Sequence, residues 1–190
     1  MTARRTCGDS RVRAAYAISL VALLGGAVAG MPAAGADNKR LNDGVVANVY
    51  TVQRQAGCNT DIAINPKLRL AAQWHTNDVL RNRALNGDIG SDGSTVADRA
   101  RNAGYQGAVA ETVAINPALA ISGIELINQW YHRPDYHAIM ADCSNVDIGV
   151  WSENSLDRTV VVAVYGTGDT APPVHGPGRP FGEPGSGAQS

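Results

Sequence analysis

Glu111 sits at the centre of Ala108 to Ala114, a run of small apolar residues. A carboxylate is expensive to bury without partners. This one either lines a hydrogen-bonded cleft or carries a raised pKa, and both mark a candidate site. Histidines and further acids stand at spacings that invite other chemistry. His75 and Asp78 are three apart and become partners if helix geometry brings them together. His75 falls among apolar positions, however, and reads as a satisfied core histidine before it reads as a ligand. His132 closes an expected helix, where a cation suits the dipole, which is a structural role. Asp88, Ser91 and Asp92 lie in the turn-rich segment Gly87 to Ser94. It looks superficially like a calcium loop but lacks the spaced ligands and terminal glutamate of an EF-hand. Gly90 and Gly93 are expected to take unusual dihedrals there. Nucleophilic chemistry finds no support. There is no Gly-x-Ser-x-Gly elbow and no glycine-rich phosphate loop, and no spacing singles out a Ser94–His137 dyad.

The elements that must position these groups follow from periodicity and punctuation. Val45, Val46, Val49 and Val52 repeat at helical spacing between Leu41 and Ala56, and Gly57 ends that helix. Asn65-Pro66 opens a second helix, with Leu68, Ala71, Ala72, His75 and Val79 on one face, running to about Leu85. Ser94 or Thr95 caps a short helix to Ala103, closed by Gly104. Ala108 to Ala114 suits a short buried segment or strand. Asn116-Pro117 is expected to open another helix, with Leu119, Ile124, Ile127 and Tyr131 as its stripe. Pro134 starts a short helix through Met140. Strands are expected over Val146 to Trp151 and Arg158 to Tyr165, with a hairpin turn at Asn154 to Asp157. Trp74, Trp130 and Trp151 all fall in regular elements, as core or cleft wall. Helices on both sides of a small central antiparallel sheet make an α+β fold, an α-β-α sandwich.

Residues 1–36 read as a secretory signal peptide. Arg4, Arg5, Arg11 and Arg13 precede an apolar run from Ala14 to Ala29 that is short for a membrane span. Small residues at Ala33 to Ala36 suit a peptidase, so cleavage is placed after Ala36. An uncleaved amino-terminal anchor is the alternative. Without the leader no transmembrane span remains, and the protein is expected to be secreted, extracellular or held at the cell envelope. Cys7 leaves with the leader. Cys58 and Cys143 remain, and in an oxidising compartment the economical reading is one disulfide between them; two free buried thiols are the alternative. The domain is expected over 40–167. The segment 168–190 is rich in Pro, Gly and Ser and is read as a disordered tail. The whole chain has a net charge of −1. The leader holds four arginines and Asp9, which leaves −4 without it. No basic patch is interleaved with aromatics, so nucleic acid is excluded as a partner.

The order of these motifs resembles the CAP superfamily (SCP-like, PR-1-like extracellular domains) in a short bacterial, disulfide-bridged form. Asn65-Pro66-Lys67-Leu68 to Asp78 is similar to its first core helix. Ser91-Asp92-Gly93-Ser94 to Asp98-Arg99 and Ala103-Gly104-Tyr105 resemble its loop and following helix. Ala110-Glu111-Thr112 stands where the family has Gly-Glu-Asn. Trp130 to His137 resembles its Trp–Ser-Pro–His segment, and Asp147-Ile148-Gly149-Val150 its Ile-Gly-Val-Gly strand. The likeness spans residues 41 to 166.

The resemblance implies an α-β-α sandwich with a cleft that in many members holds two histidines and acids able to bind zinc. Asp88 falls where the first of those histidines belongs. His137 corresponds to the second, with one residue inserted after Pro134, and Arg133 replaces a second glutamate of some members. Asp88, Glu111, Arg133 and His137 are therefore the cleft-lining candidates. His137, Asp88 and Glu111 could form a three-ligand metal site with an open position. This oxygen-rich set would favour calcium or magnesium over zinc. Arg133 would repel such an ion and could instead pair with Asp88 or Glu111, leaving a cleft held by hydrogen bonds alone. A divalent metal is the only cofactor the pattern suggests.

The leading expectation is a non-catalytic binding module for a lipid, cell-wall or protein ligand at the envelope. The alternatives are a metal-dependent hydrolase using the degenerate cleft, and an interaction role carried by the domain surface and tail.

Overall fold

A computed structural model describes residues 34–117 and 121–170, with side chains from Asn38 onward. The expected leader lies outside the described residues except for 34–36, and the expected tail except for 168–170. Leu119, assigned to a helical stripe, also lies outside them. The described residues run α1 (Ala34–Gln55), β1 (Ala63–Ile64), α2 (Pro66–Arg81), α3 (Val96–Asn102), β2 (Val109–Asn116), α4 (Gly123–Tyr131), α5 (Pro134–Ala141), β3 (Asp147–Ser155) and β4 (Arg158–Gly166). No helix among them is long and apolar enough to cross a membrane.

The strands form one sheet in the order β1-β3-β4-β2. β4 pairs antiparallel with both β2 and β3, from Val109↔Gly166 to Asn116↔Thr159 on one side and from Asp147↔Gly166 to Ser155↔Arg158 on the other. The sheet is not purely antiparallel. β1 joins β3 in parallel through Ala63↔Asp147 and Ile64↔Ile148. A two-residue strand has no periodicity to read and exists because β3 offers it a ladder.

β4 explains the near-continuous apolar run of the sequence, since every one of its residues is buried. Strand alternation sends successive side chains to opposite faces. Val161, Ala163 and Tyr165 pack with α1, α4 and α5, through Val45, Val49, Leu126, Trp130 and Met140. Val160, Val162 and Val164 pack with α2 and α3, through Leu68, Ala72, Val79 and Ala100. One strand thus feeds two cores, and the helices form a layer on each side of the sheet, as the α-β-α expectation requires.

Local signals set the helix ends. Asn65 caps α2 by accepting from the Lys67 amide at 2.9 Å, with Pro66 in the first turn. α2 stops at Arg81, earlier than expected, because Asn82 turns extended and accepts the Ala84 amide on its side chain. Thr95 and Asp98 form a reciprocal capping box that starts α3. The helix expected from Pro117 begins instead at Gly123, capped by Ser122. β2 takes the chain through Asn116 because β4 supplies partners that far, and Pro117 has no amide to continue the ladder.

The expected disulfide is present between Cys58, just beyond α1, and Cys143, between α5 and β3.

Gly149 is required by close approach. A Cβ there would lie 2.0 Å from the Arg69 amide nitrogen and 2.2 Å from the Leu68 carbonyl carbon, so β3 and the first turn of α2 touch backbone to backbone. No side chain can move to relieve that clash. Gly149→Ala is expected to cost about 3 kcal/mol, the upper end of overpacking penalties. Urea denaturation measures it, and an unchanged midpoint would mean that α2 can shift away from the sheet.

Candidate functional site

Glu111 is the third residue of β2 and is 3 % exposed. Its partner comes from α3. The capping box fixes that helix so that Val96, Arg99 and Ala100 share its inward face, and Arg99 is 5 % exposed. Arg99 Nη2 donates to Glu111 Oε1 at 2.5 Å and to the Asp88 carbonyl at 2.9 Å. Its Nη1 donates to the Ser94 carbonyl at 2.8 Å. One guanidinium therefore neutralises the buried carboxylate and fastens both ends of the 88–94 loop.

His75 completes the cluster from α2. It is 0 % exposed, its Nε2 lies 3.0 Å from the Gly87 carbonyl, and Glu111 Oε1 is 3.7 Å away. A carbonyl can only accept, so Nε2 carries the proton and Nδ1 presents a lone pair. Burial first, then repulsion from Arg99, lowers the His75 pKa from its ordinary value and keeps the ring neutral. Asp78 is not its hydrogen-bond partner. Asp78 accepts from the Ser91 amide and hydroxyl, each at 2.7 Å, and so pins the middle of the same loop. Gly93 has the expected positive φ of 80°. Gly90 does not; a Cβ there would lie 2.7 Å from Ser94 Oγ and 2.8 Å from Asp92 Oδ1, side-chain atoms that would have to move aside.

Burial pushes the Glu111 carboxyl up to about 7, against the opposing pull of the Arg99 guanidinium. Its ordinary value is 4.5, so the folded protein holds this proton more tightly than the unfolded chain. Stability from this group is fully present below about pH 4.5 and is lost as pH rises through about 7, by about 3 kcal/mol. His75 acts in the opposite sense, because a lowered pKa withdraws stability as pH falls below 6.5. Asp88 is the other charge that reaches Glu111, and it favours the protonated form. The unfolding free energy of the wild type minus that of Glu111→Gln is expected to fall as pH rises from 5 to 7.5 (a window set by those values). A difference that stays constant with pH would remove Glu111 from that titration.

The other sequence candidates do not converge on this carboxylate. The Asp88 side chain is exposed, and only its carbonyl meets Arg99. Arg133 is exposed, pairs with Asp135 at 2.6 Å and lies 3.6 Å over the Tyr136 ring. The cation that Glu111 needed is supplied by Arg99 instead. His137 is half-buried and meets the Tyr131 ring edge-to-face at 4.5 Å. Its neighbour Tyr136 takes the inward position. Tyr136 is buried, packs edge-to-face on Trp130, and brings its hydroxyl to the Val113 backbone. Tyr136 packs into the core with α1 and α4, and His137 follows it by one helical position, a turn of about 100°. Among the described residues no three His, Cys, Asp or Glu side chains come together to hold a metal ion. Arg99 occupies Glu111 Oε1, and the exposed Asp88 and the Tyr131-packed His137 add no ligands beside Oε2, unpartnered among the described residues, so these residues do not fit a divalent metal.

Sequence reading missed Arg99, Tyr136 and the inward role of His75 toward Glu111. A signal for Arg99 was present. Val96, Arg99, Ala100 and Ala103 recur at helical spacing, and an arginine in an otherwise small apolar face points to a buried anion nearby.

A second cavity lies on the outer edge of β3. β1 pairs only with Asp147 and Ile148, so beyond them that edge has no strand partner among the described residues. A groove of about 550 Å³ runs there between α1 and β3. Val46, Ile64, Val150 and Trp151 supply its apolar wall, and Lys39, Asp43, Arg69 and Glu153 its charged rim. Arg69 lies 5.1 Å from the centre of the Trp151 ring. Asn42 Oδ1 and Trp151 Nε1 are buried without a hydrogen-bond partner among the described residues.

No family model matches the chain. No curated protein matches it either. Solved structures do. An outer surface protein from Borrelia burgdorferi is similar over 67 % of this chain and 92 % of its own, at 15 % identity and a TM-score of 0.59. An extracellular protein containing an SCP domain from Bacillus anthracis is similar over 67 % of this chain, at 12 % identity and a TM-score of 0.55. The match spans 41 % of that longer protein. The chain therefore shares its fold with these proteins, the second of which contains an SCP domain, as the order of its motifs implied.

Proposed function

We propose that this chain is an exported, non-catalytic CAP domain that binds a single-chain amphiphile of the cell envelope in the α1/β3 groove. The groove carries the reading. Its apolar wall suits an acyl chain, and Arg69 at the rim suits an anionic headgroup, Lys39 being paired with Asp43 at 2.5 Å. The unpartnered Trp151 Nε1 and Asn42 Oδ1 would gain hydrogen bonds from such a headgroup. Export is supported by the leader-like sequence of residues 1–36 and by the two similar proteins, one an outer surface protein and one extracellular. The engagement of Glu111 supports a role without catalysis, since its carboxyl group is held by Arg99.

Doxyl-labelled fatty acid and lysophospholipid test this by tryptophan quenching. Quenching should be saturable, should fall at least tenfold in affinity in Ile64→Asp, and should lose amplitude in Trp151→Phe. Equal quenching in both variants, or none in the wild type, would sink the reading. The competing hydrolase at Asp88, Glu111 and His137 would instead require near-stoichiometric calcium, magnesium or zinc in the oxidised protein, lost in His137→Ala. Elemental mass spectrometry decides that point, and such a result would replace the binding module with an enzyme.

A further inference from the structure

A smaller pocket of about 290 Å³ opens between α2, the 87–94 loop and α3, with His75 and Arg99 in its lining. From it we infer a second binding site, one for a neutral pyranose unit of a glycan. This site is independent of the α1/β3 groove.

His75 and Arg99 are 0 % and 5 % exposed. Each retains a buried nitrogen without a partner among the described residues, His75 Nδ1 and Arg99 Nε. The proton on His75 Nε2 leaves Nδ1 as an acceptor, whereas Arg99 Nε is always a donor. Both side chains line the pocket, so its lining holds one unmet acceptor and one unmet donor. A hydroxyl group answers both, because it donates one hydrogen bond and accepts another. A carboxylate or phosphate has no proton for His75, and an ammonium has no lone pair for Arg99.

The wall and rim point the same way. Trp74 also lines the pocket and is 40 % exposed, so its indole offers an apolar face beside a polar edge on which a ring can stack. The C–H face of a pyranose is apolar and its edge carries hydroxyls, so one ring can lie on Trp74 and turn its edge toward Asp92 and Asn102. Asp78 and Ser91 are already bonded to each other and hold the loop in place for this contact. Hydrogen bonds from Ser94 lower the Asp92 pKa and keep it ionised, so the rim is negative and disfavours uronic acids and phosphorylated sugars. The volume lies near the lower end of ligand pockets, about 300 Å³, which fits a sugar ring rather than a larger ligand.

The test uses the oxidised full chain without its leader. Neutral malto-, cello-, manno- and chito-oligosaccharides are titrated, with oligogalacturonate as the anionic control, and binding is followed by calorimetry and by the indole N–H resonances in NMR. At least one neutral series should bind and shift the Trp74 resonance. Trp74→Ala and Asn102→Ala, both at exposed positions, should each weaken binding at least tenfold without changing the unfolding midpoint. Oligogalacturonate should not bind. The site is refuted by no binding across the neutral series, by binding that Trp74→Ala leaves intact, or by equal binding of oligogalacturonate. Ile64→Asp, which alters the other groove, should leave sugar binding unchanged, so the two proposals fail separately.

Discussion

Cys58→Ser combined with Cys143→Ser is expected to lower the unfolding free energy by about 4 kcal/mol. The bridge closes 85 positions of sequence, and a loop of that size removes much of the unfolded chain's freedom. It ties the end of α1 to the junction of α5 and β3, the first and last helices of the domain. Hydrogen bonds reinforce the same corner. Gln53 is buried and its Nε2 donates to the Asn145 carbonyl at 2.8 Å, while Asn145 Nδ2 donates to the Ile139 carbonyl at 2.9 Å. Those bonds persist in the variant, so the native fold should survive and the loss should come from the unfolded side. The check is urea denaturation of the variant beside the oxidised protein. The slope should rise with the midpoint's fall, because the unfolded variant exposes more surface. Equal midpoints would show that the denatured chain is already compact around this corner.

The second large effect is at Arg99. Arg99→Met keeps the stem and removes the charge, leaving Glu111 buried without its cation and the Asp88 and Ser94 carbonyls without their donor. Breaking a buried ion pair by removing one partner costs about 3–5 kcal/mol. The 87–94 loop loses its fastening at the same time. Two readouts follow, a lowered denaturation midpoint and faster proteolysis within the loop. The double variant Arg99→Met with Glu111→Leu should recover most of the stability, since apolar side chains can replace a buried pair at little net cost. Proteolysis should stay fast in the double variant. If the double variant is no more stable than the single one, the cost lies in the loop and not in the orphaned carboxylate.

The layers of the fold were legible because their signals are local. Pro66, Thr95 and Pro134 mark helix starts, and the run from Val160 to Val164 can only be a strand buried on both faces. β1 was not legible, because two residues acquire strand geometry only through β3. The start of α4 was misplaced because the partner that extends β2 to Asn116 is Thr159, forty-three positions away. The site was half legible. Glu111 stands out as an acid in apolar surroundings. Arg99 does not, because its relation to Glu111 arises from the packing of α3 on β2. His137 and Tyr136 show the remaining limit. Neighbouring helix positions point in different directions, and a one-residue uncertainty in spacing exchanged the inward side chain for the outward one.

The fastening of the 87–94 loop has a bearing on how this protein can change over time. His75 holds the Gly87 carbonyl, and Arg99 holds the carbonyls of Asp88 and Ser94. All three are main-chain groups, which every amino acid supplies. The scaffold therefore grips the end at Gly87 and Asp88 without reading its side chains, while at the other end Arg99 also reaches the Ser94 hydroxyl at 3.3 Å. Substitutions at Asp88 or Ile89 can alter what the surface meets while the frame beneath stays as it is. Such a separation lets recognition drift quickly on a slowly changing body.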